Sequence, residues 1–193
     1  MKNTMTATIF LPIAAMLTLG VATVYAQDSV SVKMTFSGIS ENSANNLLYP
    51  GTTSPNDEDN FAGTGTLGSF TLRNVRALTP PLPSNTCDLY FMELDGGGIF
   101  RFQDGSLLYL QLTSGSDCIS FATGLAHCTV NFQITGGTGR FKNASGALVL
   151  TETVATVLSD ATPMQNPVLE AATGEITGTV YGVSEYQGQG GGQ

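Results

Sequence analysis

Tryptophan is absent from this sequence, and only 11% of its 193 residues are charged. Glycine is abundant, with 23 residues, but it does not recur at every third position, which excludes a collagen triple helix. Heptads of leucine and charged residues are also missing, which excludes a coiled coil. Apolar residues make up 41% of the chain, enough for a packed core, so the sequence predicts a folded protein rather than a disordered one.

Long apolar runs are confined to the N terminus. Lys2 precedes the apolar stretch, and Val24-Tyr25-Ala26 follows it. This places small residues at positions −3 and −1 of a signal cleavage site after Ala26. The stretch is shorter than the roughly 20 residues of a membrane span, and no basic cluster follows it. We therefore predict a secretory signal peptide at residues 1–26, one domain at 27–186 and a disordered Gly/Gln tail at 187–193. The mature protein is expected to be secreted, in the extracellular space or the periplasm.

Basic residues are scarce in the chain that remains after signal cleavage. It has 15 acidic residues, which gives a net charge of −9 with the six basic ones. Phosphate backbones and anionic membrane surfaces are bound mainly by clustered Lys and Arg. Nucleic acid is therefore not an expected partner, and neither is a membrane. The six basic residues are Lys33, Arg73, Arg76, Arg101, Arg140 and Lys142.

Only three cysteines are present, Cys87, Cys118 and Cys128. An oxidising compartment favours disulfide formation where the geometry allows it. Cys118 and Cys128 flank a segment containing Gly and Ser, so we predict that they close a hairpin loop as a disulfide and leave Cys87 over. Spacing alone leaves all three pairings open.

Alternation of apolar and polar residues is the main pattern of the mature chain, and it predicts about eight β-strands and no amphipathic helix. Residues 41–61 interrupt the alternation and are predicted to be a long loop. Asp95-Gly96-Gly97-Gly98 and Asp104-Gly105 are typical of hairpin turns. Eight antiparallel strands fit a closed barrel or a two-sheet sandwich, and alternation does not choose between them. The predicted strands cover residues 30–37, 66–73, 87–94, 99–103, 107–113, 128–134, 146–157 and 175–181.

One segment resembles a known family. Residues 132–146 contain Gly136-Gly137-Thr138-Gly139-Arg140-Phe141 followed by Ala144 and Gly146. This is similar to the I-x-GGTGRF-x-x-A-x-G signature of the dirigent and allene oxide cyclase barrel superfamily, and looks most like its secreted bacterial members. The resemblance implies an eight-stranded antiparallel barrel, often oligomeric, which acts on small molecules without a metal. It carries over no pocket residue, because those lie outside the matched motif.

The candidate catalytic residues are Glu93, Arg101 and Tyr109, which lie on three consecutive predicted strands. In a shared barrel interior an acid, a base and a phenol would perform proton transfer. Strict alternation favours the other interpretation, in which these three point outward and Leu94 and Phe100 help to fill the core.

No cofactor or metal is expected. A zinc site would need His127 with Cys118 and Cys128, and the predicted disulfide competes with it. Asp57-Glu58-Asp59 offers oxygen ligands for calcium, but it lacks the spacing of a calcium loop and is interpreted as a solvated loop tip. The glycines at 136–139 are not followed by Lys-Ser or Lys-Thr, so they are interpreted as a structural turn rather than a phosphate loop.

Three functions remain open. The first is non-catalytic binding of a small apolar or aromatic molecule in the barrel mouth. The second, implied by the resemblance, is a dirigent- or cyclase-like protein that guides the reaction of an unstable small molecule. The third is a structural or surface-interaction protein with a filled barrel.

Overall fold

The eight strands of the described residues form one closed antiparallel barrel in which each strand pairs with its sequence neighbours and β8 pairs with β1. A computed structural model describes residues 29–43, 48, 55–159 and 167–184. The predicted barrel is confirmed, and the alternative of a two-sheet sandwich is wrong. The strands are β1 Ser29–Ser43, β2 Asn56–Gly65, β3 Phe70–Leu78, β4 Leu89–Phe102, β5 Leu107–Ser120, β6 Leu125–Gly137, β7 Ser145–Ser159 and β8 Pro167–Tyr181, with a 3₁₀ turn at Gly139–Phe141 between β6 and β7.

Predicted connections are strand in the structure at three places, one of which is residues 114–127, most of them in β5 and β6. Residues 56–61 of the predicted long loop belong to β2, where Asp57 and Asp59 take the inward positions that an apolar residue usually fills. Gly96, Gly97 and Gly98 do not form a hairpin turn, because they pair with β3 in the middle of β4. The Asp104-Gly105 turn is confirmed, with a φ of 81° at Gly105.

The predicted signal at 1–26 and the tail at 187–193 lie outside the described residues. Within the described part of the chain, no helix is long and apolar enough to cross a membrane.

The barrel has an apolar half whose end is closed by short turns. Phe141, which is completely buried, lies 4.7 Å from Phe102 between ring centroids. The Arg140 guanidinium lies 4.5 Å from the Phe141 ring centroid, donates a hydrogen bond to the Leu67 carbonyl and pairs with Asp104 at 3.0 Å. The predicted turn motif therefore closes this end of the barrel, with the ring of Phe141 in the interior and the guanidinium of Arg140 above it. We call it the plugged end.

The opposite half of the barrel is polar. At this end β1, β3, β5 and β7 finish and β2, β4, β6 and β8 begin. Its inward positions carry buried polar side chains, although inward positions of small barrels are mostly apolar. They are Ser40, Asp57, Asp59, Asn74, Arg76, Glu93, Asp117 and Glu152.

Two β-bulges put acids into this half. In β4 the pairing passes from Ala77–Asp95 to Leu78–Glu93, so Leu94 is an extra residue, and in β5 it shifts between Leu112 and Ser114. One extra residue reverses which side chains face inward. The reversal turns Glu93 and Asp117 into the barrel, and it leaves Leu94 52% exposed although it was expected in the core.

The disulfide joins Cys87 to Cys118, with a Cα–Cα distance of 5.2 Å, and Cys128 is a buried free thiol. The predicted Cys118–Cys128 pair is therefore wrong. Asp117, opposite Cys128 in the β5–β6 register, points inward with it, whereas Cys118 lies opposite the exposed His127 on the outer face. The sheet separates the two thiols, and Cys87 reaches Cys118 from the segment before β4.

We expect this pairing to be visible in the covalent structure of the protein. Digestion without reduction should give a linked peptide pair containing Cys87 and Cys118, and an alkylating reagent should label Cys128 only after unfolding. Cys87→Ser should lower the free energy of unfolding by about 3 to 4 kcal/mol, because the closed loop spans 31 residues. Cys128→Ala is the matched control and should keep the linked peptide. A linked peptide pair containing Cys128 would contradict the structure.

Candidate functional site

Arg76 is the centre of the polar half, which we call the Arg76 cluster: Arg76 with Asp57, Asp59, Glu93 and Glu152. The side chain of Arg76 is 1% exposed. Its Nη1 donates a hydrogen bond of 2.6 Å to Glu93 Oε1, and its Nη2 donates one of 3.1 Å to Glu152 Oε1. Nη2 also lies 2.9 Å from Asp59 Oδ2 and 3.6 Å from Asp57 Oδ2. One guanidinium therefore faces four carboxyl groups from β2, β4 and β7.

The position of Glu93 depends on a glycine on the neighbouring strand. Glu93 pairs with Gly115 in the β4–β5 register. A Cβ atom at Gly115 would lie 2.5 Å from Glu93 Oε2, which no real contact allows. Gly115 therefore provides the space in which the Glu93 carboxyl group reaches Arg76.

The guanidinium of Arg76 stays charged. Burial lowers the Arg76 pKa, but the combined attraction of Asp59, Glu93 and Glu152 outweighs burial and holds the pKa well above its usual range. Arg76 is the only buried basic side chain among the described residues. A single positive charge does not compensate four ionised carboxylates in a medium of low polarity.

The excess acids therefore hold protons. Burial raises the pKa of both Glu93 and Glu152 to about 8, against the opposing attraction of Arg76. Burial likewise raises the pKa of Asp57 well above its usual range. Near neutral pH the cluster thus contains carboxylic acids, which donate hydrogen bonds and exchange protons.

A thiol and a further acid continue the cluster. Cys128 donates a hydrogen bond to Asp117, and burial raises the pKa of both groups. Cys128 also lies opposite Glu152 in the β6–β7 register. The thiol is therefore protonated near neutral pH and acts as a weak donor rather than as a nucleophile.

Glu170 marks the outer part of the polar half, on β8. Its carboxyl group accepts hydrogen bonds from Asn42 at 3.3 Å and from Thr156 at 3.4 Å. Burial raises its pKa to about 7, and the Thr156 hydrogen bond opposes this rise. The three residues come from β1, β7 and β8, so polar groups line this side of the barrel beyond the buried carboxyls.

Aromatic rings lie directly below the Arg76 cluster. Phe61 follows Asp59 on the inward face of β2, and its ring stacks on Phe36 with centroids 4.5 Å apart. Gly174 makes room for Phe36, since a Cβ atom there would lie 2.7 Å from the ring. The interior thus changes from carboxyl groups to aromatic rings within two residues of one strand.

The structure separates the three predicted catalytic residues. Glu93 lies inside the barrel in the Arg76 cluster, whereas Arg101 is exposed on the outer face. Tyr109 is half-buried and lies opposite Ile99, itself 48% exposed, on the outer side of the β4–β5 pair. The trio therefore does not form one site, and only its acid belongs to the interior.

Four residues of the Arg76 cluster were not predicted as site residues from the sequence: Arg76, Asp57, Asp59 and Glu152. Glu152 continues the inward alternation of Leu148 and Leu150, and Arg76 that of Leu72 and Asn74, so charged residues at apolar positions were the available signal. The acidic run was interpreted as a solvated loop tip, which is wrong for Asp57 and Asp59 because both are buried.

Nothing in the described ranges is arranged to hold a metal ion, since no group of three or more His, Cys, Asp or Glu side chains meets that geometry. The guanidinium of Arg76 occupies the space between the carboxyls. The His127 ring, on the outer face, contacts Thr153 at 3.3 Å.

No family model and no curated protein matches the chain. Among solved structures it is similar to the pterocarpan synthase dirigent protein GePTS1, with 11% sequence identity and a TM-score of 0.37. The match covers 80% of this chain and 92% of that one. At such identity and TM-score, activity has to be argued from the residues of this chain.

Because Glu93 and Glu152 hold protons in the folded state, we expect the protein to be less stable at alkaline pH than at acidic pH. Glu93 and Glu152 bind protons in the folded state up to about pH 8, but only up to their ordinary value of 4.5 when unfolded. Their stabilisation is complete below pH 4.5 and is lost as the pH rises through 8. The free energy of unfolding, measured by urea titration, should fall by on the order of a few kcal/mol between pH 5 and 8.5.

Glu152→Gln should flatten this dependence, because an amide does not ionise. The exposed Glu175→Gln is the matched control and should leave the slope unchanged. A free energy of unfolding that is constant or increases over this pH range would contradict the assignment.

Proposed function

We propose that the protein is exported and binds a small molecule at the Arg76 end of its barrel. The proposed ligand has an apolar or aromatic body and an oxygen atom that accepts hydrogen bonds. The observation that carries this proposal is a layer of buried carboxyl groups, more than the single charge of Arg76 compensates, directly above stacked aromatic rings.

The polarity of the interior supports this choice of ligand. The buried rings of Phe36 and Phe61 make the interior next to the carboxyl groups apolar, and a protonated Glu93 or Glu152 offers a donor to a carbonyl or phenol oxygen. Ligand sites in proteins usually combine apolar walls with a few polar groups of this kind. The opposite end is plugged by Phe141, so a ligand would enter from the polar end.

The first test uses prodan, a naphthalene with a ketone whose emission reports polarity and hydrogen bonding. The protein has no tryptophan, so the probe is read without interference. At pH 6 we expect one prodan per chain. Ionisation of the carboxylic acids should weaken binding by about tenfold at pH 9, the equivalent of one hydrogen bond.

Two variants locate the prodan site. Glu152→Gln keeps a neutral donor at pH 9 and should reduce the loss of affinity, whereas Glu175→Gln should behave like the unmodified protein. Absence of prodan binding at pH 6 would exclude the proposal and favour a filled barrel that works through its surface.

A second candidate function is proton transfer to the bound molecule, as in a protein that guides the reaction of an unstable compound. The pKa of about 8 for both Glu93 and Glu152 favours it, because such groups give and accept protons near neutral pH. For an aromatic ketone, the un-ionised acid would protonate the carbonyl oxygen while an ionised neighbour removes the α-hydrogen. The product is an enol, and the reverse steps restore the ketone.

The α-hydrogens of 2-tetralone, a cyclic ketone fused to a benzene ring, test this candidate. In heavy water the protein should accelerate deuterium incorporation, followed by mass spectrometry, and Glu93→Gln should reduce the acceleration at least about 100-fold while prodan still binds. Equal exchange with and without protein would leave binding alone as the proposed function.

A further inference from the structure

A groove of about 570 Å³ lies on the outer face of the barrel, across β1 to β5. Its floor is one row of the sheet, in which Ser37 pairs with Ala62, Ala62 with Thr71 and Thr71 with Arg101. The first three side chains are small, so the row leaves a depression between larger neighbours. This volume is within the range of pockets that hold small molecules.

Two arginines border the groove, although the mature chain has only six basic residues. Arg73 is 70% exposed and pairs with Glu58 at 3.4 Å. Arg101 makes no ion pair with any residue that the structure describes. Its charge is thus available to an anion, and Arg73 adds a second positive charge on the same face.

Apolar side chains complete the lining. Ile99 lies on the outer face next to both arginines, opposite Arg73 in the β3–β4 register and two residues before Arg101 on β4, and is 48% exposed. Leu107 pairs with Arg101 across β4 and β5. Neither side chain belongs to the core, which on these strands contains Leu72, Phe100 and Leu108. Ile99 and Leu107 therefore offer apolar surface beside a positive charge.

We propose that this groove binds a small carboxylate that has an elongated apolar or aromatic body. The carboxylate would pair with Arg101, and the body would lie over Thr71 and Ala62, against Ile99. The net charge of −9 repels polyanions from the protein as a whole, which favours a ligand with a single negative charge. The site is independent of the Arg76 cluster, because the two lie on opposite faces of the sheet.

The test uses 4-(1-pyrenyl)butyrate and its uncharged amide, with pyrene fluorescence as the readout. We expect the carboxylate to bind with one site per chain and the amide to bind at least about tenfold more weakly, as for one lost charged hydrogen bond. Arg101→Gln should weaken binding of the carboxylate by about tenfold. Its effect on folding should be small, because the side chain is exposed.

Two control variants and one variant of the apolar lining make the result specific. Lys142→Gln removes one exposed positive charge at the plugged end and should leave the affinity unchanged. Glu152→Gln, in the interior, should also have no effect. Ile99→Ser should weaken both pyrene compounds, because it removes apolar contact.

The proposal is overturned if Arg101→Gln leaves the affinity unchanged or if Lys142→Gln reduces it equally, since either result means attraction to charge in general. Displacement of prodan by the pyrene carboxylate would place the probe inside the barrel instead. A native mass that reveals a dimer separated by Arg101→Gln would identify the groove as an interface between two copies.

Discussion

Arg76 holds a positive charge inside a closed barrel, and the polar half of the molecule is arranged around that charge. Transfer of a guanidinium out of water costs several kcal/mol unless anions and hydrogen bonds replace the lost hydration. Glu93 and Glu152 accept hydrogen bonds from it, and Asp59 pairs with it at 2.9 Å. These acids are themselves too many for one cation, so some of them stay neutral by holding protons. The charge of Arg76 thus determines the chemistry of its neighbours.

Buried ion pairs such as those of the Arg76 cluster contribute little net stability to the fold. Most of the stabilisation therefore comes from the opposite half of the barrel. There the interior consists of apolar side chains, and Phe141 fills the end under Arg140. Closure also pairs each of the eight described strands on both sides, so none of them forms an exposed sheet edge. The apolar half of the barrel therefore stabilises the fold, and the polar half carries the ionisable groups.

The sequence predicted the barrel from alternation and from the resemblance of residues 132–146, but it did not predict the polar interior. Alternation assumes a constant register, and the bulges in β4 and β5 violate that assumption. The outward placement of Glu93 was wrong for this reason. The expected number of strands was right because two errors cancelled: β2 was missed, and β4 was divided at its glycines. Arg76 lies on an unbroken strand, where a charged residue at an inward position was the signal.

Alternation also explains how one barrel presents two chemically different surfaces on the same strands. On β2 the acids Asp57 and Asp59 point inward and Glu58 points outward, where it pairs with Arg73 of β3. On β3 Arg76 points inward, to the acids of β2. Each face therefore contains its own ion pairs, and the backbone layer between them is held by strand pairing. Because no side chain is shared, the interior can change its protonation without altering the charge of the outer groove.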